Sequence, residues 1–146
     1  VEGWFSWTSE HLLSIKGIAV NFNVFLLLLW IRKWLERRNI GRGWSNLVFN
    51  ELAIEDKTSF KNFTRMSTIT FENLLLKVEP KIHKTNTSFR ECIAPRTRLL
   101  VTLRYLATGE SFKSLHYAFR ISVPSLSLFI SETLNAIYEV LQREYL

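Results

Sequence analysis

From Trp44 onward, apolar residues recur at three- and four-residue intervals, and no stretch of useful length alternates with a period of two. The first spacing is that of a helix with one buried face and the second that of a half-buried strand, so the pattern predicts an all-α protein. Ser45 to Leu52 sets Leu47, Val48 and Leu52 on one side of a short helix. Asp56 stands where an N-cap belongs, ahead of a second helix with Phe60 and Phe63 three apart. Ser67 opens a longer one, ITFENLLLKVEPKI, whose expected buried stripe is Ile69, Leu74 or Leu75, and Val78. Pro80 near its end is expected to kink or stop it. The polar stretch HKTNTSFR, 83–90, reads as a loop.

The C-terminal third carries the clearest punctuation. Pro95 takes the first turn of a helix through RTRLLVTLRYLAT, and Gly109 stands just past its end. Ser111 caps the short helix SFKSLHYAF; Arg120, Ile121 and Ser122 then connect to a long final helix that Ser122 caps, with Pro124 in its first turn. Along that helix Val123, Leu126, Phe129 or Ile130, Leu134, Ile137 and Leu141 keep helical spacing. Support helix, short helix, tight turn and longer helix is the layout of a helix-turn-helix unit. Its steep crossing requires apolar residues, and Leu115, Phe119, Ile121, Leu126 and Phe129 supply them. Any small helical bundle would use the same spacing, so both readings stand at this point. The predicted fold is a small all-α bundle ending in a helix-turn-helix-like three-helix unit and preceded by a hydrophobic leader helix.

That leader occupies residues 1–43 and ends at the Gly41-Arg42-Gly43 break; the helical domain occupies 44–146. Leu12 to Ile31 is almost wholly apolar and is followed by the basic run RKWLERR. Its length and basic flank suit a membrane span, for which Trp4, Trp7, Trp30 and Trp34 would form an interfacial belt, whereas Lys16, Asn21 and Asn23 oppose one. A buried or partner-docking helix and a non-native leader sequence are the alternatives. The first residue is Val1, which points to a fragment or a processed product.

Composition narrows the chemistry. With 146 residues, 47% hydrophobic and 22% charged, the chain has the makings of one globular domain and not of a disordered tail. Nineteen Lys and Arg against thirteen acidic residues give +6, a balance that suits nucleic acid or a phosphate-bearing membrane surface. The basic residues of the helical domain include Lys81, Lys84, Arg90, Arg96, Arg98, Arg104, Lys113 and Arg120. The expected DNA-backbone contacts among them are Arg90, Arg96, Arg98, Arg104, Lys113 and Arg120. The helix that would enter a major groove has no Lys or Arg between Val123 and Gln142, and carries Glu132 and Glu139. Only Ser125, Ser127 and Ser131 remain there for weak polar contacts. Binding of that kind neutralises phosphates, is salt-sensitive and reads little sequence; the alternative is a solvated basic surface. Asp56 is the single aspartate, so an Asp-Asp-Glu metal triad cannot be assembled and no catalysis is expected from this chain alone. Cys92 is the only cysteine, and His11, His83 and His116 have no ligand spacing, so neither a disulfide nor a metal site or other cofactor is expected.

Four stretches together carry a family resemblance: FKNFTRMSTITFENLL (60–75), NTSFRECI (86–93), RLLVTLRYLATGESFKSLHYAFRIS (98–122) and the closing ETLNAIYEVLQREYL. The region from about Trp44 resembles the N-terminal helical region of the Harbinger transposase-derived nucleases, with LRYLATGESFKSL the most specific run. The resemblance implies a nuclear protein whose helical region binds DNA or a partner ahead of a metal-dependent, RNase-H-like catalytic domain. It further implies that this chain is truncated where that domain would begin, so no catalytic residue carries over. The chain departs from the family in the last helix, which reads SLSLFISE where basic residues are usual, and in the leader before about Trp34. A helical protein-interaction domain without DNA binding, or a membrane-anchored helical fragment, are the competing functions.

Overall fold

Short polar side chains start the helices where local chemistry lets them. Asp56 Oδ1 accepts from the Ser59 N–H at 2.9 Å, Ser67 Oγ from Thr70 N–H at 3.2 Å, and Ser111 Oγ from Ser114 N–H at 3.2 Å. Each satisfies a donor that the first helical turn leaves without a partner. The computed structural model describes residues 32–86 and 91–145, and every regular element among them is helical. A single turn, α1, spans Lys33–Glu36; α2 covers residues 44–55, π-helical over Leu47–Leu52 between α-helical Trp44–Asn46 and Ala53–Glu55. There follow α3 (Lys57–Thr64), α4 (Thr68–Ile82), α5 (Pro95–Thr108), α6 (Phe112–Phe119) and α7 (Val123–Tyr145). Pro95 sits at the start of α5, and Gly109 ends it in the left-handed region at φ 65°, its N–H bonding Tyr105 O at 2.9 Å.

The central element is α5. Six consecutive residues, Arg98 to Leu103, are buried, so the helix is covered on all sides and not along one stripe. It packs on α3, α4, α6 and α7, and α7 also packs on α4 and α6. The steep crossing expected for the last three helices is filled as the sequence pattern predicts: Leu115, Phe119, Ile121, Leu126 and Phe129 are all buried in one core cluster. Rings knit α2, α3 and α6 together there, with Trp44 edge-on to Phe63 at 5.5 Å and to Phe119 at 5.8 Å. Gly43 holds φ 124°, and a side chain there would meet Ala118 O at 3.4 Å, so the entry to α2 lies hard against the end of α6.

Three sequence expectations change. Ile69 is 73% exposed; the buried stripe of α4 is Phe71, Leu75, Val78 and Ile82, in phase with each other at spacings of four, three and four. Pro80 does not stop α4, which continues to Ile82; the carbonyl it deprives of a helical donor is that of Leu76, an exposed residue. Phe129 and Ile130 are not alternatives. Both are buried, together with Thr133 and Ala136, because α7 is covered from α4, α5 and α6 at once. The leader segment Leu12 to Ile31 lies outside the described residues.

Two substitutions separate core from surface. Phe119→Ala should lower the unfolding free energy by about 3–5 kcal/mol, because it empties the junction of α2, α3 and α6. Ile69→Ala should change it by about 0.5 kcal/mol or less. Urea denaturation of both variants measures the difference, and equal effects would contradict the phase of α4.

Candidate nucleic-acid interface

The structure gives four of the six expected DNA-backbone residues partners inside the fold. Arg96 pairs with Glu72 of α4 and lies over the Phe49 ring at 4.3 Å. Arg98 is only 7% exposed; its Nε donates to Ile93 O at 3.0 Å and its Nη1 to Glu132 Oε2 at 3.2 Å. Arg104 Nε donates to Glu110 Oε1 at 2.9 Å, with the guanidinium over Phe63 at 4.5 Å and Trp44 at 5.5 Å. Arg120 Nη1 donates to the Trp34 carbonyl at 2.9 Å. Lys113 is exposed and makes no ion pair among the described residues, and Arg90 lies outside them. Arg98 is therefore a structural residue, and reversing its charge would report on folding.

The acidic character of the last helix has a physical reason. Glu132, Glu139 and Glu144 on α7 meet Lys84 just past the end of α4 and Lys81 and Lys77 on it, in reverse sequence order, which is an antiparallel seam. The hydrogen bond from Lys81 holds the Glu139 carboxyl below its ordinary range, and that from Lys77 to Glu144 raises the Lys77 ammonium above its own. Three carboxylates of α7 are thus bound to cations at the α4 side. Its outer side is left uncharged: Ser127 and Ser131 are exposed, while Ser125 Oγ bonds Ser122 Oγ at 2.8 Å.

Cations without carboxylate partners remain at Lys57, Lys61 and Arg65 about α3, at Arg143 near the end of α7, and where the end of the basic run meets α6, the one of these places at which they stand beside a stack of rings. Trp34 of α1 stacks on Tyr117 at 5.8 Å and meets His116 edge-on at 4.9 Å. Arg120 lies over the Trp34 ring at 5.8 Å, and Arg38 Nη1 donates to Arg120 O at 3.4 Å. His116 Nδ1 donates to Ile121 O at 2.6 Å, since a carbonyl can only accept, and so ties α6 to the turn before α7. Lys33, Arg37 and Arg42 are exposed on this same segment, and with Lys113 they make no ion pair among the described residues. Over 33–43 the single acid is Glu36. Sequence reasoning missed this face because it placed Trp34 with the leader. The one signal that could have found it is a tryptophan set inside a basic turn, RKWLERR.

No family model, curated protein or solved structure matches this chain. Among the described residues, no three or more His, Cys, Asp or Glu side chains are grouped so as to hold a metal ion, and no helix is long and apolar enough to cross a membrane.

Arg98→Ala should cost about 3 kcal/mol in urea denaturation, because it strips a buried bridge between the loop before α5 and Glu132. Lys84→Ala, on the same carboxylate but exposed, should cost at most about 1 kcal/mol. The seam also sets a pH dependence. Glu139 and Asp56, the latter lowered by its hydrogen bonds from Ser59, contribute stability above the ordinary carboxyl range that is lost as pH falls through their lowered native values. Lys77 contributes below the ordinary lysine value, and that contribution is lost as pH rises through its raised one. Thermal melts between about pH 5 and pH 3 should fall less steeply in Lys81→Ala than in the parent; parallel curves would remove the seam from the acid limb.

Proposed function

We propose that this chain is a nucleic-acid-binding helical module of the kind that precedes the catalytic domain in Harbinger transposase-derived nucleases, acting in the nucleus and holding duplex DNA by its phosphates. One observation carries the reading. Among the described basic residues without a carboxylate partner, Lys33, Arg37, Arg42 and Lys113 belong to the 33–43 segment and the helix it meets; Lys57, Lys61, Arg65 and Arg143 are also unpaired, but it is at the first face that Arg120, bonded to a carbonyl, and the Trp34–Tyr117 stack stand. The outer side of α7 offers neutral serines, so sequence reading by that helix has little to work with. The module needs no cofactor and has no chemistry of its own, since a metal triad would have to come from other residues.

Binding through four such contacts should give log Kd a slope of about 3 to 4 against log salt. Fluorescence anisotropy with a labelled duplex tests this. The triple variant Lys33→Glu, Arg37→Glu, Lys113→Glu should lose most of the affinity and most of the slope. Lys57→Glu with Lys61→Glu, exposed on α3, should retain both. Equal losses in the two variants would sink the assignment of the face.

A second reading has its own observation. Leu128, Ser131, Asn135, Tyr138, Gln142 and Tyr145 are exposed on α7 at spacings of three and four and carry no charge, with Leu128 at 65% and Tyr138 at 62% exposure. Such a face suits a helical protein partner or a second copy of the chain. Sedimentation of Leu128→Lys with Tyr138→Lys is the test: dissociation of a self-associated parent, with the melting temperature kept, favours it, and a parent that is monomeric throughout removes the second copy.

A further inference from the structure

Tyr117 stands where α1 meets α6 and is left open to solvent. Its ring is stacked on Trp34 with an interplanar angle of 24°, yet the residue is 68% exposed. Trp34 beneath it is held by two groups, one of them anchored in turn. Arg120 holds the Trp34 carbonyl at 2.9 Å, the His116 ring braces the indole edge-on, and Ile121 O fixes His116 in turn. The result is a pre-set aromatic surface open to solvent.

Its surroundings are cationic. On α6, Lys113 lies four residues before Tyr117 and so one turn away on the same side, while Arg120, just past the helix end, has its guanidinium over the Trp34 ring at 5.8 Å. Lys33 and Arg37 flank Trp34 in the chain. Phosphates alone gain nothing from an exposed aromatic ring, whereas an unpaired nucleotide offers both a phosphate for a cation and a base for a ring. Along a duplex the base faces are already stacked, and between the two terminal pairs only the phosphates and base edges are on offer.

We infer that the Trp34–Tyr117 stack is a platform for an unpaired base, with Lys113, Arg120 and the α1 segment holding the flanking phosphates. The ligand is then single-stranded nucleic acid, or a duplex with an unpaired end. The inference rests on the nucleic-acid reading and sharpens it. Aromatic stacking does not discriminate the sugar, so deoxyribose and ribose strands are both candidates.

The test is anisotropy on the full chain with four labelled probes: a blunt duplex, the same duplex with an overhang, oligodeoxyuridylate and oligouridylate. Overhang and single strands should bind more tightly than the blunt duplex, and the ratio of the two single strands identifies the sugar. Tyr117→Leu should weaken the unpaired probes about tenfold and leave the blunt duplex unchanged. Tyr117→Phe, which keeps the ring, should behave as the parent, and Lys113→Glu should weaken all four. If Lys113→Glu weakens every probe while Tyr117→Leu weakens none, the platform is overturned and backbone binding stands. If no probe binds, both readings fall together.

Discussion

Glu132 is held by two cations at once, Arg98 Nη1 on one oxygen and Lys84 Nζ on the other. Much of the fold is organised about this junction. Arg98 is the charged residue within the buried stretch of α5, and a guanidinium there is tolerable only if its donors find acceptors. One donor goes to Ile93 O, which fastens the chain just before α5, and another to Glu132, which fastens α7. The long aliphatic stem meanwhile fills core space. Exchanging Glu132 for an apolar residue would leave the buried guanidinium without its counter-charge, so the orientation of α7 on α5 is specified by charge as well as by volume.

The same junction explains where sequence reading succeeded and where it could not. Caps and stops were legible because their partners lie within four residues: Asp56 with Ser59, Ser67 with Thr70, Gly109 with Tyr105. The crossing residues Leu115, Phe119, Ile121, Leu126 and Phe129 were legible because a short helix followed by a tight turn leaves few ways to bury them. The fate of the basic residues was not. Lys77, Lys81, Lys84, Arg96 and Arg98 pair with carboxylates 24 to 67 positions away, a distance at which no local pattern speaks. Ile69 was assigned to the core for a related reason. Helical spacing fixes which residues share a stripe, but when two stripes are comparably apolar only the neighbour decides which one is buried, and α5 meets Phe71 and Leu75.

Charge partition links this packing to function. A cation matched by a carboxylate has little field left for an outside anion, and that is the state of Arg96, Arg98 and Arg104 and of the three lysines facing α7. Arg120 differs in kind. Its hydrogen bond goes to a neutral carbonyl, so the side chain is positioned while its charge stays uncancelled. Arg120 also adopts φ 54°, a left-handed conformation rare for a non-glycine residue and placed at the end of α6. There it closes the turn into α7 and brings its guanidinium back over Trp34.

A basic surface intended only for solubility would have no need of such positioning, because solvated lysines serve as well and lose less side-chain entropy. Here an arginine, a tryptophan, a histidine and a tyrosine are fixed against one another at the edge of the bundle, with exposed cations on both chain segments that meet there. Fixing these groups before any ligand arrives lowers the ordering cost of binding. It also places the ring in a defined relation to the charges, which a phosphate backbone by itself does not require. The arrangement is more specific than net charge of +6 would demand, and the surplus order lies in the aromatic groups. On the nucleic-acid reading proposed above, that surplus favours strands with accessible bases over polyanions in general.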